Sequence, residues 1–82
     1  MRVLITPKAK KDLDRLPREV EDVVSETINN LEKNPLPHNS LKLTAQPGYR
    51  IRVGIFRILY IIDKDSKLIY IARILHRKEA YK

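Results

Sequence analysis

The 82-residue sequence contains no cysteine and only two histidines, His38 and His76. Without cysteine, the chain can form no disulfide, no thiolate zinc site and no cysteine nucleophile. Two histidines so far apart do not form the closely spaced pattern of a histidine-rich metal site. We therefore expect a protein that works without a bound metal or another cofactor.

Long apolar segments are also missing from the sequence. Unbroken apolar runs reach only five residues, as at 58–62, far short of the roughly 20 residues that a membrane-spanning helix needs. The first seven residues do not contain the apolar stretch of a secretory signal peptide. A chain of this length has room for one hydrophobic core. We therefore expect a soluble, cytoplasmic single domain over residues 1–82 that makes no contact with membranes.

Positive charge is in excess, and it is unevenly distributed along the chain. The formal net charge is +7, yet residues 1–39 contain seven basic and seven acidic side chains and are neutral. Residues 40–82 contain ten basic and three acidic side chains. A basic surface in one part of a protein is typical of proteins that bind a polyanion such as nucleic acid. The alternative is that the charge only keeps a small protein in solution.

Hydrophobic periodicity predicts two helices followed by a set of strands. A short strand at residues 3–5 precedes a helix that runs from Pro7 to a break at Pro17, and a second helix continues to near Lys33. Residues 34–47 are rich in proline and asparagine and predict a loop, with a brief extended piece at 41–43. The period then changes from 3.6 to 2, which predicts strands at 49–53, 56–62 and 68–75.

The resulting order is β-α-α-β-β-β, which predicts an α+β fold. In such a fold the helical hairpin packs on one face of a mainly antiparallel, twisted sheet. Residues 56–62 are apolar on both faces apart from Arg57, as expected of a strand at the centre of a sheet. The second sheet face is then partly open and available to arginine side chains.

Basic side chains converge in this predicted sheet. Arg50 and Arg52 share one strand face because residues two apart point the same way, and Arg57 begins the next strand after the turn at Gly54. Arg77 and Tyr81 follow the last strand. Clustered guanidiniums repel one another, and an anionic ligand such as phosphate relieves that repulsion. The alternative for Arg50 and Arg52 is a protective charge on an edge strand, and Arg73 could instead pair with an acidic side chain of the helices.

Three segments of the chain carry a resemblance to a known family. Residues 48–54 (GYRIRVG), 56–60 (FRILY) and 76–81 (HRKEAY) resemble the RelE/ParE toxin superfamily, and the similarity extends over nearly the whole chain. Members of the RelE type are ribosome-dependent mRNA interferases, each neutralised by an antitoxin encoded beside it. The resemblance therefore implies a RelE-like fold and the activity of an endoribonuclease, a toxin that inhibits translation by cutting mRNA in the ribosomal A site.

The resemblance also implies a reaction and a set of site residues. A ribose 2′-OH would attack the adjacent phosphate and leave a 2′,3′-cyclic phosphate and a 5′-OH, without a metal ion. By resemblance, Arg57 and Arg77 offset the charge of the transition state, while Arg50 and Arg52 position the RNA backbone and add to the stabilisation of that charge. Tyr81 stacks on a base or takes part in proton transfer. Some RelE-type toxins have lysines at the first two strand positions, and arginine effectively cannot act as a base in their place.

The remaining assignments concern residues around this cluster and the partners of the protein. His76 is a second candidate for proton transfer, and Lys42, Arg73 and Lys78 are expected to bind RNA. The implied partners are the ribosome, its mRNA and a cognate antitoxin that wraps the helical hairpin and covers or distorts the basic face. Two alternatives remain, namely a ParE-like inhibitor of DNA gyrase and a RelE-fold protein that binds without cutting.

Overall fold

The computed structural model describes residues 1–78 of the chain. Two helices follow the first strand, and four further strands complete the fold. The elements are β1 (Arg2–Ile5), α1 (Pro7–Asp14), α2 (Arg18–Asn30), β2 (Ser40–Lys42), β3 (Tyr49–Val53), β4 (Phe56–Asp63) and β5 (Leu68–His76). Neither helix has the length and apolar character needed to cross a membrane, within the part of the chain that the structure describes.

The five strands form a single mixed sheet in the order β1-β5-β4-β3-β2. β1 lies parallel to β5, and every other neighbouring pair is antiparallel. The predicted α+β fold and the central position of the strand after Gly54 are therefore confirmed. The brief extended piece expected at 41–43 is also present, one residue earlier, as β2 at the edge of the sheet.

Both helices end earlier than the hydrophobic pattern predicts. After α1, the backbone N–H groups of Arg15 and Leu16 donate to carbonyls three residues back, at 3.2 Å each. The following Pro17 disfavours a helical conformation for the residue before it, so the last turn tightens and the helix ends. Residues 31–33 likewise form tight turns after α2, and the prediction that this helix extends to near Lys33 is wrong by about one turn.

The hydrophobic core lies between the helices and one face of the sheet. Each helix contributes a short apolar stripe, and β3, β4 and β5 contribute alternating side chains of the face beneath them. The buried core residues are Ala9, Leu13, Val24, Ile28, Leu31, Ile51, Ile58, Tyr60, Ile69, Ile71 and Ile74. The helices thus cover the face that contains Ile51 and Ile58, which directs the intervening residues of β3 and β4 to the opposite face.

Tyr60 connects the core to the loop that precedes β2. Its ring is fully buried and stacks on Tyr49 with 5.7 Å between ring centroids. Its hydroxyl donates to the carbonyl of Pro35 at 2.9 Å, and burial raises its pKa above the usual value. The proline-rich loop is therefore fixed to the central strand, which positions β2 at the sheet edge.

A two-residue turn joins β3 to β4. Gly54 has a φ of +59°, and a positive φ at the first central position is what a type II′ hairpin turn requires. The carbonyl of the second turn residue, Ile55, accepts a hydrogen bond of 2.7 Å from the backbone N–H of Arg77. The turn therefore holds the end of the hairpin against the segment that follows β5.

Candidate functional site: an arginine face

Three arginines lie on the sheet face opposite the helices, and we call Arg50, Arg52 and Arg57 the arginine face. The register of the hairpin pairs Arg52 directly with Arg57 and pairs Arg50 with Leu59. Side chains of directly opposite residues in an antiparallel pair project from the same face. The predicted convergence of these three arginines is therefore confirmed by the strand register.

The three arginines differ in their exposure to solvent. Arg52 is exposed and Arg50 is partly buried, whereas Arg57 is only 5% exposed and is the one buried charged side chain within residues 1–78. A phosphate can reach Arg52 directly. Contact with Arg57 requires that neighbouring groups move aside.

The sequence also predicts that three residues near the end of the chain belong to this site, namely His76, Arg77 and Tyr81. Arg77 follows β5 and is exposed, and its backbone bond to Ile55 holds it beside the β3–β4 turn. His76 is paired with Phe56, and its ring meets the Phe56 ring edge to face at 5.5 Å. His76 therefore lies on the helix side of the sheet, and the structure does not bring it together with the arginine face. Tyr81 lies outside the described residues.

Arg73 forms an ion pair with Asp12 of α1. The Asp12 carboxylate accepts bonds of 2.8 and 3.1 Å from Nε and Nη2 of Arg73, and one of 2.9 Å from the backbone N–H of Ile74. Burial by itself would raise the pKa of Asp12, but these hydrogen bonds outweigh it and hold the pKa below its ordinary value. The pairing of Arg73 with an acidic side chain of the helices is thus confirmed, while a contact of Arg73 with RNA stays a prediction.

The Asp12→Asn variant is expected to lower the free energy of unfolding by about 1–2 kcal/mol at pH 7, because it removes charge-assisted hydrogen bonds. The folded-state pKa of Asp12 is depressed, so its contribution is complete above the unfolded-state value of 3.8 and is lost as pH falls below it. Urea unfolding at pH 7 and at pH 3 should therefore show a smaller difference between the two proteins at the lower pH.

The matched control for this prediction is Asp14→Asn. Asp14 is exposed and pairs with Lys10 at 3.1 Å on the helix surface, an arrangement that contributes about 0.5 kcal/mol or less. Equal losses in the two variants would contradict a special role for the Asp12–Arg73 pair.

A cleft of about 250 Å³ adjoins the arginine face on the side of β2, lined by Asn39, Leu41, Arg50 and Arg52. Neither Asn39 nor Leu41 was expected at the site from the sequence. The available signal was the position of Leu41, an apolar residue between Ser40 and Lys42. Lys42 and Lys78 are both exposed, and their predicted contacts with RNA stay predictions.

An apolar groove of about 540 Å³ lies between α2 and the β3–β4 turn. Of the described residues that line it, only Glu19 is charged. Val23 and Ile55 line it and remain 50% and 53% exposed. The other lining residues are Pro17, Val20, Val53, Gly54 and Phe56. Exposed apolar grooves of this kind mark surfaces that bind other proteins.

The fold and the site together define a class of protein. It is a small basic α+β domain with two helices on one sheet face, arginines on the other and an apolar groove beside them. Within residues 1–78 there is no cluster of three or more side chains that could hold a metal ion. The arrangement provides guanidinium groups for an anion and a separate surface for a protein partner.

Comparison with known proteins identifies the family. The model of the ParE toxin of type II toxin–antitoxin systems matches residues 3–81, and the chain belongs to this family within the RelE/ParE superfamily. The candidate toxin RelE1 of Methanocaldococcus jannaschii is 34% identical over 84 residues, which cover 98% of this chain and 93% of that protein. Toxin RelG of Mycobacterium tuberculosis is 32% identical over 82 residues, which cover 98% of this chain and 94% of that protein.

Similarity to a solved structure agrees with this assignment. A chain of the RelBE2 toxin–antitoxin complex of M. tuberculosis aligns with a TM-score of 0.82 and 30% identity, over 93% of this chain and 96% of that chain. The superfamily and the RelE-like fold that residues 48–54, 56–60 and 76–81 predict are therefore confirmed.

Proposed function

We propose that this protein is an mRNA interferase, a toxin that stops translation by cutting mRNA in the ribosomal A site. The observation that carries the proposal is the pairing of Arg52 with Arg57, beside Arg50, on one sheet face. Like charges on directly opposite strand residues repel, and a phosphate beside them relieves the repulsion through bidentate hydrogen bonds. The +7 net charge of the chain favours the same kind of ligand.

The proposed reaction transfers a phosphoryl group within the RNA. The ribose 2′-oxygen loses its proton and attacks the adjacent phosphorus, and the bond from phosphorus to the 5′-oxygen breaks. The 5′-oxygen takes up a proton, and the products are a 2′,3′-cyclic phosphate and a 5′-hydroxyl. Guanidinium groups aimed at the phosphate stabilise the charge that develops on its oxygens.

Each residue of the site has a separate part in this proposal. Arg52 and Arg50 hold the RNA backbone, because they are the more accessible members of the arginine face. Arg77 and the fixed charge of Arg57 offset the charge of the transition state. Tyr81 serves in base stacking or proton transfer. His76 has no part in proton transfer in this proposal, because its ring contacts Phe56 on the helix side of the sheet.

The proposed dependence on the ribosome follows from the lack of a general base among the three arginines of the arginine face. Arginine effectively never gives up its proton, so these three side chains cannot act as general bases. A site without a strong base depends on the correct positioning of the 2′-OH and the phosphate. We propose that the ribosome supplies this positioning and that the protein acts in the cytoplasm, where translation takes place.

The test is a cell-free translation reaction with a defined mRNA, in which the cuts are mapped by primer extension. We expect cuts that require translation, and no comparable cutting of protein-free RNA. Intact mRNA in the presence of folded protein would contradict the proposal.

The match to the ParE family model favours gyrase inhibition as the second candidate, and a DNA supercoiling assay on the same preparation tests it.

We further propose that a cognate antitoxin occupies the apolar groove between α2 and the β3–β4 turn. Two solved relatives, the RelBE2 complex of M. tuberculosis and the archaeal RelE–RelB complex of Pyrococcus horikoshii, are toxin–antitoxin complexes. The second aligns with a TM-score of 0.78 and 29% identity, over 93% of each chain. Half-exposed Val23 and Ile55 are the apolar side chains that such a partner would cover.

Replacement of Ile55 by aspartate is expected to weaken antitoxin binding about 30-fold or more, because it puts a charge at the centre of an apolar contact. Calorimetric titration of the purified toxin with the antitoxin encoded beside it measures this change. Ile61→Asp is the matched control, since Ile61 is 40% exposed but does not line the groove. Equal weakening by both variants would contradict the assignment of the groove.

A further inference from the structure

The cleft beside the arginine face has a composition that phosphate binding alone does not explain. Leu41 lines it and is 56% exposed. It lies directly opposite Arg50 in the β2–β3 pair. Asn39 lines the same cleft next to Arg52. A leucine offers nothing to a phosphate, so an apolar side chain and an amide beside two arginines indicate a ligand with both a flat apolar surface and polar edges.

The side of the cleft formed by residues 39–41 is held in place by the surrounding structure. The backbone N–H and the hydroxyl of Ser40 both donate to the carbonyl of Pro37, at 2.9 and 2.8 Å. Tyr60 donates to Pro35 at 2.9 Å in the same loop. A cleft whose wall is fixed before the ligand arrives loses less conformational entropy on binding.

We infer that this cleft is a nucleobase subsite for single-stranded RNA, with Asn39 and Leu41 as its base-contacting residues. Proteins that recognise unpaired bases splay them out, stack aromatic, arginine or apolar side chains on their faces and form hydrogen bonds to their edges. Leu41 covers one face of the base, and the Asn39 amide supplies both a donor and an acceptor for its edge. This assignment rests on the proposed RNA-cleaving function and adds a determinant of base preference to it.

The strand register places the subsite next to the proposed reaction centre. Ser40 is paired with Ile51, so the preceding residue, Asn39, falls beside Arg52, and Arg52 is itself paired with Arg57. A base held by Asn39 and Leu41 therefore belongs to a nucleotide whose backbone reaches Arg52. Contacts with phosphate position a nucleic acid and contacts with bases select its sequence, and the two kinds of contact adjoin each other here.

The inference can be tested by equilibrium binding, without cleavage. The probes are fluorescein-labelled 2′-O-methyl RNA tetranucleotides, which lack the attacking hydroxyl: the four homopolymers and one abasic tetranucleotide with the same backbone. Fluorescence anisotropy at a fixed salt concentration gives the Kd of each probe, since affinity for RNA depends strongly on salt. The proteins are the wild type, Asn39→Ala, Leu41→Ala and Leu4→Ala. Leu4 is a 47% exposed leucine in β1, at the opposite edge of the sheet.

We expect the wild type and Leu4→Ala to bind the best homopolymer about fivefold or more tightly than the abasic probe, and to distinguish the four bases by a similar factor. Leu41→Ala should bind base-containing and abasic probes alike. Asn39→Ala should keep the preference for bases over the abasic probe but lose discrimination among the four. Equal affinity of the wild type for all five probes, or unchanged binding by Leu41→Ala, would overturn the inference. Because no probe can be cut, the result of this binding experiment does not depend on the result of the cleavage assay.

Discussion

Replacement of Arg52 by alanine is expected to reduce translation-dependent mRNA cleavage about 100-fold, because the variant loses a guanidinium that positions the RNA backbone for the reaction. The same change is not expected to lower the free energy of unfolding. Arg52 lies directly opposite Arg57, and like charges in that position destabilise a strand pair. We therefore expect the Arg52→Ala variant to lose cleavage activity, while its free energy of unfolding stays the same or rises.

Rates from the cell-free translation assay and urea unfolding of the same preparations measure the two effects. Arg2→Ala is the control, because Arg2 is an exposed arginine of β1, at the far edge of the sheet, and its loss changes the net charge equally. Comparable losses of cleavage in both variants would assign the effect to overall charge. A large drop in the stability of Arg52→Ala would instead indicate a structural role.

The Gly48→Ala variant is expected to be destabilised by about 3 kcal/mol, the sum of backbone strain and steric overlap. Gly48 has a φ of +114°, and a Cβ added there would lie 2.6 Å from the carbonyl oxygen of Tyr60. That oxygen belongs to the central strand and cannot move without disturbing the sheet. A domain of this size has a total stability of about 4–12 kcal/mol, so the change removes a large fraction of it.

Gly54→Ala is the natural comparison for this prediction. Gly54 also has a positive φ, of +59°, but a Cβ added there would meet no atom within 4 Å. The cost should then be the conformational strain alone, about 1 kcal/mol. Thermal unfolding followed by circular dichroism should show a melting temperature for Gly48→Ala well below that for Gly54→Ala. Equal melting temperatures would contradict the steric argument.

The sequence was sufficient to predict the fold because its local signals agree with one another. The change of period at Tyr49 marks the start of the strands, and Gly54 marks the turn that brings Arg52 opposite Arg57. Each of these signals involves residues close together in the chain. Alternation at the end of the last strand could also have placed His76 on the same face as the buried Ile74, because residues two apart in a strand point the same way.

The features that escaped prediction depend on contacts between distant residues. Asp12 and Arg73 are 61 positions apart, so the sequence indicates an acidic partner for Arg73 but not which one. The burial of Arg57 depends on packing around the sheet, which no local pattern encodes. Asn39 and Leu41 reach the arginine face only because β2 pairs with β3 and Tyr60 holds the loop.

The β3–β4 turn belongs to both surfaces of the molecule. It joins Arg52 to Arg57, exposes Ile55 to the apolar groove and bonds through the Ile55 carbonyl to Arg77. A partner seated in the groove therefore touches the same peptide segment that sets the spacing of the guanidiniums. Thermodynamic linkage is reciprocal. If a partner seated in the groove weakens RNA binding through this turn, RNA must weaken the binding of that partner by the same factor.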